Sequence, residues 1–332
     1  MDVLGALKYF RKKKKIAQKD VLPKKGKQTY RRIEIGEAKL SYEDLMTALQ
    51  SLGITFNEFF FMVSDTRIMA SSEVKHQIEC CQMGLNNTSE KKNLIHYFYQ
   101  LERNPHKNAL EMSIYTDIKL TFSNDWEEIP EFDETDRMVI LALISSKSYY
   151  TYYDYQMVTN PAALFSENEV LQILEQMFPV KDAELRDTQT LNVAYGFYLN
   201  IITGELYKKN YAKAREYLAL VSVTTIPAEI YYIHFNLRYL KNLTYYLYTG
   251  KMRYYKEVIA VIDMIESFGD ARLAEGMKKE MLQLTAGRTF NLEKGQFPLN
   301  IVTEKKKPPP PPARSNLRGV LMLNNNVISN HI

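Results

Sequence analysis

Arg31 and Arg32, preceded by Gln28 and Thr29, are the side chains in this sequence best placed to recognise a defined target. A guanidinium forks onto the two acceptors of guanine, a glutamine amide pairs with adenine, and a threonine holds a phosphate or meets a thymine methyl. On a helix, Tyr30 and Ile33 would turn inward and leave Gln28, Thr29, Arg31 and Arg32 outside, with Lys27 beside them. Residues 4–36 hold twelve Lys/Arg against Asp20 and Glu34, while the whole chain has a formal net charge of only +4. A polyanion responds to that local excess rather than to the chain average. Gln18 and the lysine run at 12–15 are candidate phosphate contacts.

The elements that would position these groups can be read from the apolar spacing. Leu4, Leu7 and Phe10 or Arg11 fall at helical intervals, Ile16, Val21 and Leu22 follow, and Pro23 and Gly26 separate the second group from Tyr30 and Ile33. A short helix, a turn and another short helix fit this pattern. Ser41, with Asp44 three residues on, is predicted to cap a fourth helix, and Thr55 or Asn57 a fifth. Composition alone also fits a solvated lysine face, or a nonspecific patch for RNA or a membrane surface.

The run Gln18…Val21-Leu22…Gln28-Thr29-Tyr30-Arg31-Arg32-Ile33-Glu34-Ile35-Gly36 resembles the helix-turn-helix of the Cro/phage-repressor superfamily. The continuation Leu40-Ser41…Leu45…Leu49…Leu52-Gly53-Ile54…Phe56…Glu58-Phe59-Phe60 resembles the later helices of that domain as they occur in the Rgg/MutR and sex-pheromone-receptor regulators of Gram-positive bacteria. The spacing from Gln18 to Glu34 is about two residues shorter than the usual pattern, so either the turn at 23–26 is tight or the second helix is cut short. The resemblance implies a transcriptional regulator that binds promoter DNA, is switched by a short hydrophobic signalling peptide, and acts as a homodimer.

The remainder of the chain is read as helical almost throughout. Helices are predicted over 73–83, 89–103, 107–121, 134–146, 167–178, 187–208, 211–221, 229–248, 252–268 and 271–284, with breakers such as Pro105, Pro130, Pro161, Pro179, Pro227 and Gly250 between them. Residues 149–155 have a strand-like, tyrosine-rich composition and are read as helix or loop. Two long-helix junctions, near residues 207 and 248, lie about forty residues apart, the range of paired-helix repeats. The expected fold is therefore all-α, with a five-helix domain at 1–65, a linker at 66–72, a TPR-like superhelical repeat domain at 73–290 and a Lys/Pro-rich flexible tail at 291–332. A non-repeating bundle is the alternative.

Within the repeat domain, Asn192 and Asn200 share a face beside Tyr195, and Tyr232, Asn236 and Tyr239 form a second stripe beside an apolar one. Asparagine amides can bond both N–H and C=O of an extended peptide, and aromatic walls take its side chains. The same residues also serve as ordinary helix contacts. These six are the candidate peptide contacts.

Several classes are disfavoured. No phosphate-binding glycine loop occurs, the five histidines show no metal spacing, and no nucleophile elbow is present. No enzyme activity, cofactor or metal is therefore expected. Apolar runs such as 138–144 are too short to span a bilayer, and the apolar N-terminal segment precedes the lysines, the reverse of a signal peptide. A cytoplasmic protein without membrane insertion is expected. Adjacent Cys80 and Cys81 are expected as small buried or half-buried side chains. A scaffold or interaction module whose basic N-terminus binds nucleic acid nonspecifically is the alternative to a regulator.

Overall fold

The structure, a computed structural model, describes residues 2–63, 88–222 and 226–286, together with Val74, Gln77, Ile78, Cys80 and Cys81. Every regular element among them is helical. The chain divides into two compact units, 1–94 and 95–332. The expected linker at 66–72 and tail at 291–332 lie outside the described residues, as does much of the expected helix at 73–83.

The first unit holds α1 (Val3–Lys13), α2 (Gln18–Val21), α3 (Gly26–Glu34), α4 (Tyr42–Leu52) and α5 (Phe56–Met62). Their starts follow the caps expected from sequence: the Ser41 hydroxyl accepts from the Asp44 N–H at 3.1 Å and the Thr55 hydroxyl from the Glu58 N–H at 3.1 Å. Helix α4 stops at Gly53, which adopts φ +59, a left-handed conformation that costs glycine little. Leu7, Val21, Leu22, Tyr30, Ile33, Leu49, Leu52 and Phe59 close into one core. The shortened Gln18–Glu34 spacing is absorbed by α2, a single turn of four residues. Cys80 is half-buried and Cys81 buried.

The second unit is built from helical hairpins. Helix α6 (Thr88–Glu102) enters it, followed by α7 (Ala109–Phe122), α8 (Glu134–Ser145), α9 (Tyr152–Thr159), α10 (Glu167–Met177), α11 (Thr188–Tyr207), α12 (Tyr211–Ser222), α13 (Tyr231–Thr249), α14 (Met252–Ser267) and α15 (Ala271–Thr285). The first helices of successive hairpins pack in sequence, α7 on α9, α9 on α11 and α11 on α13, while α8 packs on α10. Those first helices begin 36 to 43 residues apart, which matches the interval expected of a paired-helix repeat. The tyrosine-rich stretch at 149–155 resolves as the start of a helix: Thr151 caps α9, and Tyr150 and Tyr155 are buried.

Buried polar bonds cross the α7/α9 and α9/α11 seams. Asp117 on α7 accepts from Asn160, and from Gln156 at 3.3 Å. The Thr159 hydroxyl donates to the Val193 carbonyl at 3.0 Å, and the Asn200 amide donates back to the Thr159 carbonyl at 2.7 Å. A buried polar group costs stability unless it is paired, so these bonds fix the register of each helix on its neighbour.

Candidate functional sites

Helix α3 presents the candidate DNA-reading surface. Lys27, Gln28, Arg31 and Arg32 are exposed, Thr29 is half-buried, and Tyr30 and Ile33 are anchored in the core. Burial pushes the Tyr30 phenol up to about 12, so it stays neutral at any working pH.

What holds α3 is a charged anchor at its C-terminal end. The Glu34 side chain, 2% exposed, is bound by Arg11 of α1 through Nε at 3.0 Å and Nη2 at 2.8 Å, while the Gln18 amide of α2 donates to its other oxygen. Arg11 Nη1 also donates to the Ile16 carbonyl at 3.3 Å. One carboxylate thereby joins three helices. Gln18, expected at a phosphate, commits its amide nitrogen to this anchor. In the lysine run, Lys14 donates to the Gly53 carbonyl at 3.1 Å and Lys13 lies 5.6 Å over the Tyr9 ring, while Lys12 and Lys15 are exposed. Lys25 pairs with Asp44 at 2.8 Å and holds that carboxyl below its usual range.

The six candidate peptide contacts do not form one surface. Asn200 and Tyr239 are buried, 2% and 1% exposed, with Asn200 bonded to the Thr159 carbonyl and Tyr239 donating to the Met277 carbonyl at 3.0 Å. These two are seam residues, because α11 and α13 are packed on more than one side and the expected outer stripe faces another helix. Asn236 is half-buried and donates to the Tyr232 carbonyl of its own helix at 2.8 Å. Tyr232 is half-buried, and burial raises its phenol. The Asn192 side chain keeps a buried Oδ1 without a hydrogen-bond partner. Tyr195 is buried, yet it lines a cleft.

That cleft, of about 920 Å³, is walled by Leu171, Leu174, Phe178, Val180, Tyr198 and Leu220 together with Tyr195, and Glu175, Asp182, Glu184 and Glu229 also line it. Its residues come from α10, α11, the end of α12 and the two intervening loops. Apolar side chains from regular helices form the wall, and loop residues supply most of the charge. Volume and lining match a small-ligand or peptide site, for which ~300–1,000 Å³ is usual.

No protein-family model matches the chain, and no curated protein matches it. Among solved structures, PrgX is 18% identical with a TM-score of 0.64, the match covering 85% of this chain and 93% of that one. A bacterial peptide pheromone/receptor complex, described with its mechanism of gene regulation, is 18% identical with a TM-score of 0.67, covering 86% and 98%. The SHP pheromone receptor Rgg2 of Streptococcus dysgalactiae is 16% identical with a TM-score of 0.58, covering 84% and 98%. The chain has the fold of these structures. It spans nearly their full length, so both units of the fold are present.

Two features escaped the sequence reading. The Arg11–Glu34–Gln18 anchor joins residues up to 23 positions apart, and only the buried position of Glu34 on α3 could have hinted at it. The cleft depends on loops at 178–184 and 227–229, where Pro179 and Pro227 read only as breakers.

Proposed function

We propose that the chain is a sequence-specific DNA-binding transcriptional regulator whose second unit senses a short peptide. The observation that carries the DNA half is the exposure of Gln28, Arg31 and Arg32 on a helix whose far side is fixed by Tyr30, Ile33 and the Glu34 anchor. Such a helix keeps its donors in a set geometry, which base recognition needs and nonspecific phosphate binding does not. The peptide half is supported by the shared fold with proteins described as pheromone receptors and by a cleft of suitable size within the repeat unit. Peptide binding would bias the two DNA-binding units of a homodimer toward one arrangement, through unequal affinity for two conformations.

Selection from a random duplex pool tests the DNA half. A regulator enriches one motif with two related half-sites, and Arg31→Ala relaxes one position in each half-site. A pool that stays random while still being retained at low salt would assign the basic surface to nonspecific binding.

A further inference from the structure

We propose that the cleft lined by α10, α11, Leu220, Pro227 and Glu229 docks a short extended peptide bearing cationic side chains beside apolar ones. The proposal rests on the peptide-sensing reading above and specifies the face and the ligand chemistry. Its wall supplies two aromatic rings, Tyr195 and Tyr198, with Phe178 packed against Tyr198 at 4.9 Å between ring centres. Leu171 and Leu220, 46% and 41% exposed, stand on the same cleft and give it apolar lips.

Charge decides the class of occupant. Glu175, Asp182, Glu184 and Glu229 line the cleft and are all exposed, and among the described residues no basic one lines it. Of the neighbouring cations in the sequence, Lys181 donates to the Ser148 carbonyl at 2.8 Å, and Arg186 lies 4.0 Å over the Tyr149 ring and donates through Nε to the Lys181 carbonyl at 3.2 Å, with its Nη2 buried and unpartnered. Among the described residues, none of the four carboxylates joins an ion pair. Carboxylates of one sign around an apolar cleft focus a negative potential, which draws cationic ligands in and rejects acidic ones. The aromatic wall adds a surface on which apolar side chains are buried and on which a guanidinium or ammonium is attracted to the ring faces. The expected ligand is therefore cationic as well as apolar, which modifies the short hydrophobic peptide implied by the family resemblance.

The test uses an array of acetylated, amidated hexapeptides with Leu and Phe at the centre and Lys, Arg, Ser or Glu at the ends. It is probed with the purified full-length chain and with the Glu175→Lys/Glu184→Lys/Glu229→Lys variant. Far-UV circular dichroism confirms that the variant, altered only at exposed sites, keeps its fold. The wild type should retain Lys- and Arg-ended peptides roughly tenfold or more over Glu-ended ones, and the variant should lose or invert that order. Equal retention of all end groups, or a cationic preference that survives the charge reversal, overturns this site while leaving peptide sensing intact. Failure to retain any peptide overturns both readings.

Discussion

Arg11 and Arg31 lie on the same face of the sequence pattern, a basic run, yet the structure gives them opposite tasks. Arg11 is 14% exposed and neutralises a buried carboxylate, so Arg11→Met should destabilise the first unit by about 3–5 kcal/mol and weaken binding to every duplex alike. Thermal melting with anisotropy on matched and mismatched DNA would show both effects. Arg31 is exposed. Arg31→Ala should leave the melting temperature unchanged and cost roughly 1–3 kcal/mol on the preferred sequence only. An equal loss on all sequences would place that arginine at a phosphate. Asn236→Ala separates two roles in the same manner: weaker peptide binding with intact DNA affinity marks a ligand contact, whereas a lowered melting temperature marks the bond to the Tyr232 carbonyl as structural.

At the scale of the element, close packing and a buried acid set the next two expectations. Gly204 on α11 faces the short helical turn Ala162–Leu164, and a methyl added there would stand 2.7 Å from the Ala163 Cβ. Gly204→Ala should therefore cost about 1–3 kcal/mol, read as a lower denaturation midpoint, despite the better helix propensity of alanine. Glu280 on α15 is buried beside Tyr239, and burial raises its carboxyl to about 7 from the 4.5 of the unfolded chain. Below about pH 4.5 the group is protonated in both states. As pH rises from there toward 7 the unfolded chain ionises first, so stability falls across that window and levels off above it. Glu280→Gln should match the parent's stability below about pH 4 and exceed it at pH 8 by up to roughly 3 kcal/mol. A variant that melts alike at both would show the carboxyl ionised in the fold. The helices themselves were legible because their breakers and caps are local: Ser41, Thr55, Pro105, Pro179 and Gly250 punctuate the chain where elements end. The faces were less legible. The Tyr232–Tyr239 stripe reads as an open surface on an isolated helix, and only the packing of α13 against α11, α12 and α14 turns Tyr239 and Tyr246 inward.

At the scale of the whole molecule, the two units have to be energetically coupled for a peptide to control DNA. Linkage requires the same factor in both directions, so promoter DNA must change peptide affinity as much as peptide changes DNA affinity. The fold is shared with solved structures over more than four-fifths of the chain. Sequence resemblance indicated this layout through the Ile33-Glu34-Ile35-Gly36 run and the Phe59-Phe60 ending, because the small first domain is fixed by a few residues at set spacings. The repeat unit has no such signature; its identity lies in a stacking order that composition does not encode. The most direct test of the central claim is a fluorescence-anisotropy titration of the full-length chain against its own promoter and a scrambled duplex, at two salt concentrations, with and without peptides from the array. The account predicts a preference for the promoter that persists at the higher salt and shifts when peptide is added. Equal binding to both duplexes, erased by salt and indifferent to peptide, would contradict it.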